Sequence, residues 1–238
     1  MSVSSYTGQT FVGYLDISGF KQMMKDRERL RSVMDKFYRT MFGAIHEVNS
    51  TKEFDLLGKP ITKINAVVVS DCAVLFLSRG RRKNVGQVIG LGKMLKFIKY
   101  VNVEFINYNT PFMTTCSIAY GNFEYQDRKD WRHVRKNCMS GQAYIDAYLD
   151  GMLEDSRIRP GQCRLLRRGL GPELLQIFGT IEARKHEYLN LLNRSGGYYY
   201  FYWMLKDESQ IHRFKKEYNQ KFDHMYDNLI ELLQNSCR

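Results

Sequence analysis

One short stretch, FVGYLDISGF at residues 11–20, limits the possible folds of this chain more than any other. Residues 11–17 are mostly apolar and predict a short buried strand. The strand contains Asp16 near its end, and Ser18 and Gly19 lead into a helical pattern that begins at Phe20. A carboxylate at this place is either a helix N-cap or part of a binding site. The rest of the chain decides between these two interpretations.

The order of the predicted elements indicates an α+β fold. The class is a ferredoxin-like βαββαβ domain with an antiparallel sheet, helices on one face and a C-terminal helical extension. The elements are a strand at 11–17, a helix at 20–48, strands at 61–69 and 72–77, a helix at 84–106, a strand at 112–121, a helix at 140–153 and a strand at 162–167.

Three further segments complete the prediction. Residues 122–137 are polar, basic and aromatic, and we expect an exposed arm or loop there. The aromatic run at 198–205 is predicted as a strand or a partner-binding edge. Residues 207–235 predict one helix, because apolar residues recur at three- or four-residue steps. We expect one domain at 1–205, and a last helix at 206–238 that packs on the domain or at a dimer interface.

Composition restricts the class of protein. The formal net charge of +11 favours polyanionic ligands such as a nucleotide phosphate, a nucleic acid or a membrane surface. No run of about 18 apolar residues occurs, so no membrane segment is expected. The N-terminus lacks the layout of a secretory signal, which predicts a cytoplasmic protein. The five cysteines have no metal-site spacing, and we expect reduced thiols.

A second acid gives Asp16 a partner. Asp71 lies in the predicted hairpin turn between residues 61–69 and 72–77. The first strand and this hairpin are neighbours in a ferredoxin-like sheet, so the two carboxylates can meet at one edge. Mg²⁺ and Mn²⁺ take such oxygen ligands together with phosphate oxygens. Ser18, Gly19 and Phe20 open a helix, whose free backbone amides suit phosphate.

Each acid alone has a simpler explanation. An aspartate before a helix is a good N-cap, and an aspartate in a hairpin is ordinary turn chemistry. The two together, each in a matching context, favour the metal site.

Several segments resemble the class III nucleotidyl cyclases. LDISGF at 15–20 is similar to the first metal-aspartate motif of that family, and VVVSDCAVLF at 67–76 is similar to its second, with Ser70 where a glycine is usual. CSIAYGNF at 116–123 resembles the next strand. SGQAYIDAYLDGMLEDSRI at 140–158 resembles the corresponding region of the pyrimidine cyclases of Pycsar anti-phage systems. The resemblance covers about residues 11–160.

The resemblance implies an activity and a site. The enzyme would convert a nucleoside triphosphate to its 3′,5′-cyclic monophosphate and pyrophosphate. Asp16, Asp71 and the carbonyl of Ile17 would hold two Mg²⁺ or Mn²⁺ ions, and Ser18, Gly19 and Phe20 would bind the nucleotide. Homodimers with shared active sites are implied, as is a separate effector that senses the cyclic nucleotide in anti-phage defence.

Two departures from the family pattern matter. The positions that carry a transition-state Asn and Arg in the family hold Ile145 and Leu149 here, and neither can donate to phosphate. A basic residue of the arm would have to substitute, and Arg132 is our catalytic candidate. The adenine-reading pair is also absent, because Val67 and Cys138 occupy its positions. This argues against ATP and is compatible with UTP, CTP or GTP. The resemblance of residues 140–158 to the Pycsar cyclases implies a pyrimidine substrate, with UTP ahead of CTP.

Two alternatives remain open at this stage. A degenerate cyclase-fold protein would bind a nucleotide without turnover, as the missing Asn and Arg suggest. A nucleic-acid-binding protein would use the basic arm and its aromatic residues Phe123, Tyr125 and Trp131. No known nucleic-acid motif accompanies them, so nucleic acid is the less favoured partner.

Overall fold

The computed structural model describes residues 5–50, 62–78, 85–130, 134–178, 180, 185–222 and 226–237. Within these ranges the strands form one eight-stranded sheet in the order β2-β3-β1-β4-β6-β8-β7, and β5 also pairs with β4. Only the pairing of β4 with β6 is parallel. The strands are β1 (Tyr6–Ile17), β2 (Lys63–Val69), β3 (Cys72–Ser78), β4 (Thr114–Asp130), β5 (Val134–Ser140), β6 (Cys163–Leu166), β7 (Leu192–Ser195) and β8 (Tyr198–Phe201).

Helices lie on both faces of this sheet. They are α1 (Phe20–Met23), α2 (Arg27–Ser50), α3 (Val85–Ile106), α4 (Gln142–Met152), α5 (Pro172–Phe178), α6 (Ile211–Phe222) and α7 (Tyr226–Cys237). Successive side chains of a strand point to opposite faces. Phe11 and Leu15 of β1 therefore join the core under α2 and α3, whereas Val12 and Tyr14 join a second core under α4. The prediction of helices on one face holds for α2 and α3, and α4 covers part of the other face.

The long helix predicted at 20–48 is interrupted. A single helical turn, α1, ends at Met23, and α2 begins at Arg27. The side chain of Asp26 accepts a hydrogen bond from the Arg29 amide at 3.0 Å, which is N-cap chemistry. The chain therefore starts a new helix where the apolar pattern alone suggests continuity.

The predicted exposed arm is instead a β-hairpin. β4 continues to Asp130 and returns as β5, and residues 131–133 lie outside the described residues. Phe123 and Tyr125 are buried in the second core. Two of the three aromatic residues that suggested nucleic-acid binding are thus core residues, and Trp131 lies outside the described residues.

The aromatic run and the C-terminal tail also differ from their predictions. β8 pairs with β6 on one side and β7 on the other, so it is not an exposed edge. Trp203, which follows it, is fully buried and donates its indole N–H to the Gly161 carbonyl at 2.7 Å. The tail forms two helices, α6 and α7, whose apolar faces join the first core. The division of the chain at residue 205 stays a prediction.

A buried ion pair holds α4 against the sheet. Asp150 on α4 is 1% exposed and Arg164 on β6 is 2% exposed. The guanidinium donates to both carboxylate oxygens at 2.9 Å, and the Ser117 hydroxyl of β4 donates to one of them at 2.6 Å. A buried charge without its partner is destabilising by about 3–5 kcal/mol. The position of α4 is therefore fixed relative to β4 and β6.

Two further expectations from the sequence, on the state of the cysteines and on membrane segments, can be compared with the structure. All five cysteines are free thiols. Within the described part of the chain, no helix combines the length and the apolar character that crossing a membrane requires.

Candidate active site

Asp16 and Asp71 lie beside each other at the end of β1, next to the turn between β2 and β3. Asp16 is at the end of β1, where it pairs with Cys72 of β3 and with Thr115 of β4. Asp71 is in the turn that precedes Cys72, and its carbonyl accepts a hydrogen bond from the Ile17 amide at 3.1 Å. The structure thus brings together the two acids that the sequence separates by more than fifty positions.

The electrostatics of Asp16 reflect this arrangement. The pKa of the Asp16 carboxyl is raised to about 6, first by burial and second by the nearby Asp71 carboxylate, while the Arg157 guanidinium acts in the opposite sense. A partly buried carboxylate beside a second acid forms a site where a cation binds favourably.

The turn that carries Asp71 has unusual backbone geometry. Ser70 has a φ of 53°, the left-handed region that favours glycine, and it is the only described non-glycine residue with a positive φ. Its carbonyl accepts a hydrogen bond from the Tyr38 hydroxyl at 3.3 Å. This contact ties the turn to α2 and holds the second acid in place.

The loop after Asp16 offers hydrogen-bond donors. We call residues 18–21 the β1 loop. Gly19 has a φ of 77°. The backbone amides of Gly19, Phe20 and Lys21 donate to no acceptor among the described residues. The Ser18 hydroxyl is buried and has no hydrogen-bond partner among the described residues.

The sequence predicted that Ser18, Gly19 and Phe20 open a long helix, and the structure corrects this. α1 has only four residues, so its dipole is small and the β1 loop offers individual amides rather than the start of a long helix. The side chain of Phe20 packs against the first core, which leaves only its backbone amide for a ligand.

A large cleft opens beside Asp16. Its volume is about 1290 Å³, and its lining includes Asp16, Ser18, Gly19 and Arg157. β8 and the two C-terminal helices also line it, with Tyr200, Tyr218, Phe222 and Tyr226. Asp71 and Phe20 are not lining residues. The cleft is large enough for a nucleotide-sized ligand.

One residue of the cleft escaped the sequence analysis. Arg157 is exposed, and no hydrogen bond or ion pair from a described residue engages its guanidinium. It lies in the last motif quoted above, directly after α4, and its position there is the one signal that could have drawn attention to it. Arg132, the predicted catalytic residue, lies outside the described residues.

The residues around Asp16 fit a hard divalent cation. Among the described residues, no cluster of three or more His, Cys, Asp and Glu side chains occurs, so a fully protein-built metal cage is not found there. Asp16 and Asp71 supply two carboxylates, and Ile17 adds a backbone carbonyl. One or two carboxylates with phosphate oxygens and water form the usual Mg²⁺ site in nucleotide enzymes.

The structure shows the burial of the four residues that differ from the cyclase pattern. Ile145 and Leu149 are 45% and 50% exposed on α4. Tyr148, Met152 and Leu153 continue this exposed apolar surface, which we call the α4 face. Val67 is buried in the second core, whereas Cys138 is exposed on β5.

The raised pKa of Asp16 predicts a gain in stability when its charge is removed. Above pH 6 the folded protein holds Asp16 ionised at a cost that the unfolded chain, with a carboxyl pKa of about 3.9, does not have. After allowance for solvent screening we expect Asp16→Asn to stabilise the fold by about 1–2 kcal/mol at pH 8 without divalent cations. Thermal unfolding should show a midpoint about 2–5 °C higher.

The difference in unfolding midpoint between Asp16→Asn and the wild type should shrink as the pH falls through 6, because the wild-type Asp16 carboxyl then becomes protonated. Asp155→Asn, at an exposed acid of the same cleft, is the matched control and should unfold with the wild type at both pH values. A lower midpoint for Asp16→Asn at pH 8 would contradict this electrostatic interpretation.

Comparison with known proteins identifies the fold. No protein-family model matches the chain, and no curated protein matches it either. The adenylyl cyclase CyaB from P. aeruginosa matches with 12% identity and a TM-score of 0.51, over 84% of this chain and 95% of that chain. The guanylate cyclase domain of RhGC from Catenaria anguillulae, solved in complex with GTP, matches with 10% identity and a TM-score of 0.54, over 84% and 98%.

A third structure agrees with these two. A non-canonical dimeric guanylyl cyclase domain of the RhoGC fusion protein from Blastocladiella emersonii matches with 9% identity and a TM-score of 0.55, over 84% of this chain and 96% of that chain. Identities this low show the fold alone. The predicted fold class is confirmed: this chain has the fold of adenylyl and guanylyl cyclase catalytic domains.

Proposed function

We propose that this protein is a nucleotidyl cyclase, which converts a nucleoside triphosphate to a 3′,5′-cyclic monophosphate and pyrophosphate. One observation carries the proposal: in a cyclase fold, Asp16 and Asp71 lie side by side at the end of β1, and their charges repel. The cleft is lined by Asp16, and the amides of the following β1 loop donate to no acceptor among the described residues.

Each part of this site has a role in the proposed reaction. Asp16, Asp71 and the Ile17 carbonyl would hold two Mg²⁺ or Mn²⁺ ions, which supply charge neutralisation and lower the pKa of the ribose 3′-hydroxyl. The β1 loop, with the Ser18 hydroxyl and the Gly19 and Phe20 amides, binds phosphate oxygens. The 3′-oxygen forms a bond to the α-phosphorus while the bond to pyrophosphate breaks, and the hydroxyl proton passes to water.

The substrate we propose is a pyrimidine nucleoside triphosphate, with UTP ahead of CTP. The residues at the adenine-reading positions argue against ATP. Val67 is buried and apolar, so it cannot donate to a base, and Cys138 is not the acid that reads adenine. The resemblance of residues 140–158 to pyrimidine cyclases points the same way.

We further propose that Arg157 faces the phosphates. The exposed Ile145 and Leu149 cannot stabilise phosphate charge, so another cation is required. Arg157 lines the same cleft as Asp16 and Ser18, its charge acts on Asp16, and no described side chain engages its guanidinium. Arg132 of the arm remains the second candidate.

The α4 face is the surface we propose for a homodimer. Five apolar side chains, which are Ile145, Tyr148, Leu149, Met152 and Leu153, are exposed along one side of a helix that borders the cleft. Contiguous apolar surface of this kind typically marks a protein interface. The occupant we propose is a second copy of this chain, because the resemblance implies active sites that are shared between protomers and the α4 face borders the cleft.

The biological setting remains part of the proposal. The cyclic nucleotide would act in the cytoplasm as a second messenger in anti-phage defence, and a separate effector would sense it. The alternative is a degenerate cyclase-fold protein, which the apolar residues at the two transition-state positions favour. The nucleic-acid alternative has lost Phe123 and Tyr125, two of the three aromatic residues that supported it, because both are buried.

The first experiment decides between turnover and binding alone. The protein is incubated with an equal mixture of ATP, GTP, CTP and UTP and with Mn²⁺, and products are separated by HPLC. We expect cyclic UMP as the main product, and a loss of about a thousandfold in Asp16→Asn and Asp71→Asn, because several kcal/mol of charge stabilisation disappear. Asp155→Asn should retain wild-type turnover.

The possible outcomes are distinct. Nucleotide binding by calorimetry without any cyclic product would establish the degenerate alternative. A purine product would overturn the pyrimidine assignment and leave the cyclase assignment intact. Wild-type turnover in either aspartate variant would remove the proposed metal site.

The role of Arg157 can be tested against Arg159, a matched control in the same loop. Arg157→Ala should lower kcat about 10²–10³-fold, the effect of losing an arginine aimed at developing phosphate charge. Arg159 lines the same cleft, but its guanidinium donates to Asn219 at 3.0 Å and covers the Phe222 ring at 4.3 Å. Arg159→Ala should leave kcat within about threefold of wild type, because that guanidinium is already engaged. Equal losses in the two variants, or a loss in Arg132→Ala alone, would contradict the assignment.

The dimer proposal predicts a change of mass and activity together. Leu149→Glu places a charge in the centre of the α4 face without introducing the arginine that the family carries at this position, and light scattering should show the 28.1 kDa monomer with no cyclase activity. Phe42→Glu is the control, because Phe42 is 75% exposed on α2, across the sheet from α4. A dimer that persists in Leu149→Glu, or an active monomer, would refute the shared site.

A further inference from the structure

A tyrosine of the C-terminal helix pair completes the hydrogen-bond ladder at the start of the β1 loop. β1 and β4 pair up to Ile17 and Thr114, and the next residues, Ser18 and Met113, are joined by one direct bond from the Ser18 amide to the Met113 carbonyl at 2.9 Å. The return bond runs through a side chain. The Met113 amide donates to the Tyr226 hydroxyl at 2.9 Å, and that hydroxyl donates to the Ser18 carbonyl at 3.4 Å.

The bridge lies where the backbone has to leave the sheet. Met113 is fully buried, so its amide requires a partner inside the protein. Because the tyrosine oxygen stands between the two backbone groups, the strands separate at this point without leaving either group unsatisfied. The path of the chain into Ser18 and Gly19 therefore depends on a residue more than two hundred positions away.

The position of Tyr226 is fixed independently of the β1 loop. Leu229, Ile230 and Leu233 of α7 are buried in the first core. The Gln234 side chain also donates to the carbonyl at the end of α3, on Ile106. Burial raises the pKa of the Tyr226 hydroxyl, which keeps it protonated and able to donate. The hydroxyl is thus presented to the loop by a rigid helix.

We infer that Tyr226 is a positioning residue for the phosphate-binding β1 loop, and that the C-terminal helix pair is therefore part of the active site. The inference deepens the proposed function and rests on it for its catalytic meaning. Asp16 and Ile17 stay within the paired part of β1, so loss of the bridge should displace the phosphate donors and leave the two acids in place.

The test is Tyr226→Phe, which keeps the ring and removes only the bridging oxygen. Amide hydrogen exchange, measured without nucleotide, should show at least about tenfold weaker protection at Ser18 and Met113. The KM for the nucleoside triphosphate should rise about tenfold while kcat stays within about threefold, because binding that is common to substrate and transition state is lost. Tyr218→Phe is the control: its hydroxyl, on α6 and also in the cleft, donates to the Pro160 carbonyl at 2.7 Å.

The two readouts separate the inference from the proposed function. Unchanged exchange at Ser18 and Met113 in Tyr226→Phe would overturn the bridge itself, whether or not the protein is a cyclase. Faster exchange with an unchanged KM would overturn the positioning role. Equal effects of Tyr218→Phe and Tyr226→Phe on KM would show a general loosening of the helix pair instead of a specific bridge.

Discussion

The pairing of β1 between β3 and β4 is the constraint on which the proposed site depends. Antiparallel registry places Asp16 opposite Cys72, and the backbone bond from Ile17 to Asp71 then brings the second acid alongside. Two acids in a partly buried place disfavour the charge of Asp16. The fold thus retains an unfavourable charge arrangement that a divalent cation would relieve, which is typical of a site built for function.

Other parts of the chain fix what surrounds these acids. The buried pair of Asp150 and Arg164 holds the end of α4, and with it the segment that leads to Arg157. Tyr38 holds the turn of Asp71 from the other side, and Tyr226 bridges the strands where the β1 loop begins. Each of these contacts joins elements that are distant in sequence, so the geometry of the site is a property of the whole domain.

The sequence predicted the parts that follow from local pattern. The alternation and turn chemistry around Ser70 and Asp71 defined the hairpin, and the resemblance to cyclases agreed with the strand order that was observed. The sequence pattern gave no warning where a single contact decides the local structure. Asp26 caps a new helix inside a continuous apolar stripe. Arg164, a charged residue that sequence alone would place at the surface, is buried in an ion pair with Asp150. Tyr226 carries no local signal at all, because its partners lie at Ser18 and Met113.

The central claim is that Asp16 and Asp71 together hold divalent cations against a triphosphate. Crystals grown with Mn²⁺ and a UTP analogue that cannot cyclise would test it through the anomalous scattering of manganese. The account predicts manganese between the two carboxylates and the Ile17 carbonyl, with the phosphates on the β1 loop. Manganese bound elsewhere on the chain, with the analogue in place and these two acids free of metal, would contradict it.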